Sequence, residues 1–218
     1  MSGFRPAALQ FFQDLEDDNS REFWLARADT YDREVRQPML ALLQSLPERY
    51  QPFRLYRMNR DLRFTRDKSP YKVQQGALSE ADGGDHYLHV DGTGLLVAAG
   101  AYQLEPDQLE RYRAAVDDGR KGKALERILA DLQQQEVGTG MGVPALKTAP
   151  RGYAKDHPRI ALLRRKGLVG SRTLTGAPLR DGDRVREFVV ETFTACEPLV
   201  GWLAKHVGPP ARRNEPPR

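Results

Sequence analysis

Seven residues, Trp24, Ala28, Tyr31, Val35, Met39, Leu42 and Leu46, recur at steps of 4, 3, 4, 4, 3 and 4. That rhythm places them on one stripe of a helix, and an apolar stripe of this length must be buried against other elements. Asn19 followed three residues later by Glu22 resembles a capping box that starts the helix. Pro38 falls inside the stripe and lacks the N–H that a helix needs, so a kink or a division in two is expected there. Ahead of it, Leu9, Phe12 and Leu15 predict a shorter amphipathic helix over residues 6–16.

Further along, four short strands are expected near residues 53–59, 72–78, 86–90 and 95–102. Asp82-Gly83-Gly84-Asp85 and Asp91-Gly92-Thr93-Gly94 read as tight turns, and connections this short favour antiparallel pairing. Pro106 opens a helix reaching Val116, and a second helix covers residues 123–132. Residues 138–142 read as loop, 158–166 as one or two helical turns, and 168–174 as a strand. A closing helix over 183–206 turns Val185, Phe188, Val189, Phe193, Leu199, Trp202 and Leu203 inward, with a bend at Pro198. The expectation is an α+β fold: N-terminal helices, a central, mostly antiparallel sheet of four to five strands, and a long C-terminal helix packed on it. A chain of 218 residues suits one domain over 1–207, followed by a disordered, proline-rich tail over 208–218.

Cys196 is the only cysteine, so no internal disulfide framework exists, and its helical, apolar surroundings mark a buried residue rather than a nucleophile. The first ten residues hold no apolar run like that of a secretory signal, and no stretch approaches the ~20 apolar residues of a membrane span. These features together predict a cytoplasmic protein with no membrane partner.

Charge is segregated. Residues 54–72 carry seven bases against Asp61 and Asp67, a net of +5, and residues 147–166 carry seven against Asp156, a net of +6. The whole chain is only +4, so the remainder is 4 − 11 = −7. Two basic islands sit on an acidic background. The first reads Arg57-Met-Asn-Arg60-Asp61-Leu-Arg63-Phe64-Thr-Arg-Asp67-Lys68-Ser-Pro70-Tyr71-Lys72. The second reads Leu146-Lys147-Thr-Ala-Pro150-Arg151-Gly152-Tyr153-Ala-Lys-Asp156-His157-Pro158. On a strand, Arg57, Asn59, Asp61 and Arg63 would share one face.

At these two places the chain resembles the bacterial domain-of-unknown-function family 2461, whose motif is Arg-x-x-Arg-Asp-x-Arg-Phe-x-x-x-Lys-x-x-Tyr. Arg57, Arg60, Asp61, Arg63, Phe64, Lys68 and Tyr71 match it at each fixed position. The segment from Leu146 to Pro158 is similar to the family's second motif. Phe12-x-x-Leu15 with Asn19-x-Arg21-x-Phe23-Trp24 is similar to its opening. The resemblance covers nearly the whole chain up to the tail and implies membership, not an activity.

Guanidinium groups offer a rigid fork of donors suited to phosphate or carboxylate. The residues expected at a ligand site are therefore Arg57, Arg60, Asp61, Arg63, Lys68, Tyr71, Lys72, Lys147 and Arg151. Asp61, flanked by arginines, is expected to orient them rather than to act as a base, because their charge holds it ionised. Asp156, His157 and Tyr153 are the candidate acid/base group, with Asp156 capping a helix start. The favoured ligand is a phosphorylated or otherwise anionic small molecule, bound with or without turnover. A nucleic-acid-binding module is a second reading, since Tyr56, Phe64, Tyr71 and Tyr153 interleave with the bases. A third makes the islands internal Arg–Asp networks. The pattern names no cofactor and no oligomeric state. The histidines, His86, His89, His157 and His206, lack zinc-type spacing, and His86 and His89 would point to opposite faces of a strand, so no metal is assigned.

Overall fold

The computed structural model describes residues 3–61, 63, 68–80, 84–140 and 142–211. Phe64 and Asp67 of the first island, Asp82 and Gly83 of one expected turn, and residues 212–218 of the expected tail lie outside them.

The helical stripe becomes three consecutive pieces. Helix α1 (Pro6–Asp17) precedes α2 (Arg21–Tyr31), a π-helical turn (Asp32–Arg36) and α3 (Gln37–Ser45). The π turn answers the question posed by Pro38. Proline removes the N–H that would have bonded to residue 34, and the Gln37 N–H instead bonds to Asp32 O, five residues back. From this turn onward Val35, Met39, Leu42 and Leu46 are buried, while Trp24, Ala28 and Tyr31 ahead of it remain half-buried. The cap of α2 is Ser20, whose hydroxyl accepts from Phe23 N–H, not Asn19 as expected.

Six strands form one antiparallel sheet among the described residues, one or two more than expected. They are β1 (Arg54–Leu55), β2 (Gln74–Ser79), β3 (Asp85–Asp91), β4 (Leu95–Ala101), β5 (Gly138–Gly140) and β6 (Leu168–Leu174), in the order β1-β2-β3-β4-β6-β5. Residues 138–140, read as loop, pair with β6 through Thr139 opposite Gly170. Helices α4 (Pro106–Asp117), α5 (Gly119–Gln134) and α6 (Ile160–Leu163) lie in the second half, and α7 (Gly182–His206) closes the described fold with Pro198 inside it. Helix α7 packs on β6 at Gly170, where a Cβ would come within 2.7 Å of the Cys196 sulfur.

The chain divides into two compact units that share strands and α7. Unit one comprises Met1–Ser79, Tyr87–Val97 and Thr173–Thr192, and unit two comprises Glu80–His86, Ala98–Arg172 and Phe193–Arg218. The first basic island belongs to unit one and the second to unit two. The beginning of the expected tail is anchored within unit two: Gln108 donates to Gly208 O, Arg111 to Val207 O and Pro209 O, and Ala211 N–H donates to Asp107.

Candidate functional site

The first island is not a long strand. Regular pairing ends after Leu55↔Ala77 and resumes as a single bridge, Asn59↔Tyr71, so three residues on one arm face five on the other. Such a mismatch bulges the longer arm and turns its side chains out of register. Arg60 N–H bonds to Pro70 O and Lys72 N–H to Met58 O, closing the base of a hairpin-like loop.

That base is pinned from α1 and α2. The Asn19 amide accepts from Tyr71 N–H at 2.9 Å and donates to Tyr71 O at 3.1 Å. Arg60 Nε donates to the same carbonyl at 2.9 Å. The Tyr71 ring is buried and stacks on Trp24 at 4.5 Å with an interplanar angle of 13°, and Phe11 and Tyr31 pack around Trp24. The ring of Tyr71, expected at a ligand, is therefore an anchor in an aromatic cluster.

The remaining predicted residues of this island divide by partner. Asp61 accepts from Arg63 through both carboxylate oxygens, at 2.7 and 2.9 Å, and these bonds hold its carboxyl near 2, below the ordinary 3.8. Asp61 thus pairs with one of the arginines that flank it. Lys68 is exposed, as is Arg57. The Lys72 ammonium donates to Arg57 O at 2.8 Å and lies 5.2 Å from the centre of the Tyr56 ring, which Arg54 also approaches at 5.4 Å. Burial, and then the charges of Arg57 and Arg60, pull Lys72 below the usual lysine range.

Next to this cationic group stand residues that the charge count passed over. Strand β3 alternates strictly, with His86, Leu88 and Val90 buried and Tyr87, His89 and Asp91 on the half-exposed face. On that face Gln74 donates to the Tyr87 hydroxyl at 3.0 Å, and Tyr87 lies 3.2 Å from His89 Nδ1. His89 Nε2 faces Asp91 Oδ2 at 3.4 Å, and the other Asp91 oxygen is held by Thr93 and Gly94. The Tyr87 and Tyr56 rings are 6.5 Å apart. Gly76 makes room, since a Cβ there would sit 2.8 Å from the Tyr87 oxygen. The period-two pattern already present in residues 85–91 was the signal that could have found this face.

The second island is built differently. His157 does not pair with Asp156: its Nε2 meets Asp117 at 2.9 Å, and its Nδ1 accepts from Arg159 N–H at 3.0 Å. The neutral ring must therefore carry its proton on Nε2, and both nitrogens are engaged. Asp156 is exposed and does not cap α6, whose preceding residue is Arg159. Tyr153 stands edge-on to His157 at 6.3 Å, and burial, then Asp117, raises its phenol. The inward-reaching arginines serve carbonyls. Arg159 donates to Val116 O and pairs with Glu126, and Arg164 donates to Leu146 O. Lys147 and Arg151 are exposed and make no hydrogen bond or ion pair among the described residues.

Among the described residues no three of His, Cys, Asp and Glu are grouped to hold a metal ion, and no helix is long and apolar enough to cross a membrane. The chain matches the family model described as "Conserved hypothetical protein (DUF2461)" over residues 7–202. It belongs to the DUF2461 family. The DUF2461 match spans both islands and the β3 face, and it ends inside α7, before the anchored residues 207–211. No curated protein and no solved structure matches the chain. What this DUF2461 member does must therefore be argued from its own side chains.

Proposed function

We propose that the protein binds a phosphorylated or carboxylated small molecule at the base of the first island, through Arg57, Arg60 and Lys72. The observation that carries the reading is the setting of Lys72. Two guanidinium charges act on a partly buried ammonium, and among the described residues no carboxylate acts on it. Cations brought together in this way repel one another, and an anion from outside relieves the repulsion while accepting forked donors. The second island supports a different role, because Arg159 and Arg164 spend their donors on chain carbonyls. Lys147 and Arg151, exposed residues of that island, are left out of the binding set. The one thiol, Cys196, is buried and pushed up to about 11, in keeping with a cytoplasmic protein that does not use cysteine chemistry.

Thermal unfolding in sulfate or inorganic phosphate, against chloride at equal ionic strength, tests this reading. A ligand at ten times its Kd contributes about 1.4 kcal/mol, which raises the melting temperature of a chain this size by about 3 to 6 °C. Arg57→Ala and Lys72→Ala should each remove most of the rise. Equal melting temperatures in all three salts would replace the anion site with a purely structural role for the island.

A further inference from the structure

We propose that the half-exposed face of β3 carries an acid–base relay in which Tyr87 exchanges a proton with a hydroxyl of the bound anion, His89 receives the Tyr87 proton, and Asp91 holds the imidazole in place. The inference rests on the anion-binding reading for its substrate class, a hydroxylated phosphate or carboxylate, and on β3 geometry for everything else.

The hydrogen bonds run in one direction. Asp91 is an acceptor whose Oδ1 is fully engaged by Thr93 N–H, Thr93 O–H and Gly94 N–H, which leaves Oδ2 facing His89. Nε2 of His89 must then carry the proton, so Nδ1 is the acceptor that the Tyr87 hydroxyl meets. The Tyr87 oxygen in turn receives the Gln74 amide. Burial lowers the proton affinity of His89, opposed by Asp91, which keeps Nδ1 open near neutrality. Asp91 is itself raised by burial, but its hydrogen bonds from Thr93 and Gly94 and the nearby His89 bring it below the ordinary value, so it stays ionised. Asp91 and Tyr87 face the His89 ring from its own strand, β2 contributes the neutral Gln74, and the cations Arg54 and Lys72 stand at the neighbouring Tyr56 ring.

In the step this arrangement allows, the ligand O–H bond breaks as the Tyr87 O–H bond re-forms, and the original Tyr87 proton moves to His89 Nδ1. Asp91 then neighbours an imidazolium, and the alkoxide faces the cationic cluster. Proton count and charge are conserved, and no oxidant or metal is involved. The His157–Asp117 pair cannot do the same, because His157 Nδ1 already accepts a backbone N–H.

An activated phenol can be detected without knowing the substrate. An arylsulfonyl fluoride reacts with tyrosine oxygen: the O–S bond forms, fluoride leaves, and the phenol proton passes to the adjacent base. Full-length protein treated briefly at neutral pH and mapped by peptide mass spectrometry should carry the label on Tyr87 about tenfold faster than on Tyr102, although Tyr102 is 64% exposed. His89→Gln and Asp91→Asn should return Tyr87 to the rate of Tyr102 while keeping the wild-type circular dichroism. Labelling of Tyr87 no faster than Tyr102 in the wild type overturns the relay, whatever the variants do. A fast rate that survives both substitutions also overturns it. Sulfate should slow the labelling at constant ionic strength. Fast, His89-dependent labelling that sulfate leaves unchanged upholds the relay and removes the anion site instead.

Discussion

Asn19 spends its whole amide on one residue 52 positions away, satisfying both the N–H and the C=O of Tyr71. Asn19→Ala should destabilise the protein by about 1–3 kcal/mol, because the Tyr71 N–H loses its acceptor in a part-buried place. Chemical denaturation read by tryptophan fluorescence would measure this, since Trp24 stacks on the same tyrosine. Asp61 allows a test of a different kind. Its carboxyl is held near 2 against an ordinary 3.8, so its ion pair with Arg63 should persist through pH 3.8 and be lost as the pH falls through about 2. A carboxyl-carbon titration followed by NMR would show this, and Arg63→Ala should bring the midpoint back towards 3.8. The pair is exposed, so little stability depends on it. The two residues differ in how far they could be read in advance. Asp61 takes its partner two positions along, and flanking charge is visible in sequence. Asn19 sits beside an equally good cap, Ser20, and local capping rules do not reveal a partner across the fold.

Short irregular pieces of chain are held in unit two by side chains donating to carbonyls at helix ends. Tyr112 O–H bonds to Leu162 O and Arg113 to Leu163 O, so α6, only four residues long, has its last carbonyls satisfied from α4. Arg159 does the same for the end of α4 at Val116 O. Arg159→Ala should therefore cost about 1–3 kcal/mol in urea denaturation, and Arg159→Lys should recover only part, since one ammonium cannot span the carbonyl and Glu126 together. Gly122→Ala should mimic the loss, because a Cβ there would lie 2.3 Å from Val116 O and 2.8 Å from the Arg159 guanidinium. Elements with a strong period were legible: α1, the α2–α3 stripe, β3, β4, β6 and α7 fall where alternation or helical spacing puts them. Strand β5 was not, because Gly138-Thr139-Gly140 has no side-chain pattern and becomes a strand only through the ladder offered by β6. The π turn was half legible. Pro38 announces an irregularity, but nothing in the spacing says that it will be absorbed one turn earlier, with Glu34 turned inward against Arg33.

At the scale of the molecule, uneven charge was the feature that sequence exposed most clearly, and the use of several of those cations on chain carbonyls was the feature it hid. Burial of phenols adds a property of the whole fold. Tyr31 is pushed from 10.0 up to about 12 by burial, and Tyr112 is raised further by the same cause. A phenol with a raised folded value contributes fully below pH 10.0 and loses its contribution as pH climbs through 12. Each such tyrosine should remove about 1.4 kcal/mol per pH unit in that window. Melting temperatures from pH 9 to 12 should fall accordingly, with a shallower slope in Tyr31→Phe. The division into units has a consequence for synthesis. Each unit is assembled from three separate stretches, and the first takes its last stretch, Thr173–Thr192, from the region leading into and beginning α7. That stretch brings Leu179, Val185, Phe188 and Val189, all buried. A fragment ending at residue 172 should therefore show no cooperative melting. On the ribosome, likewise, neither core can close until α7 has emerged from the exit tunnel, so the growing chain carries two unfinished cores up to that point.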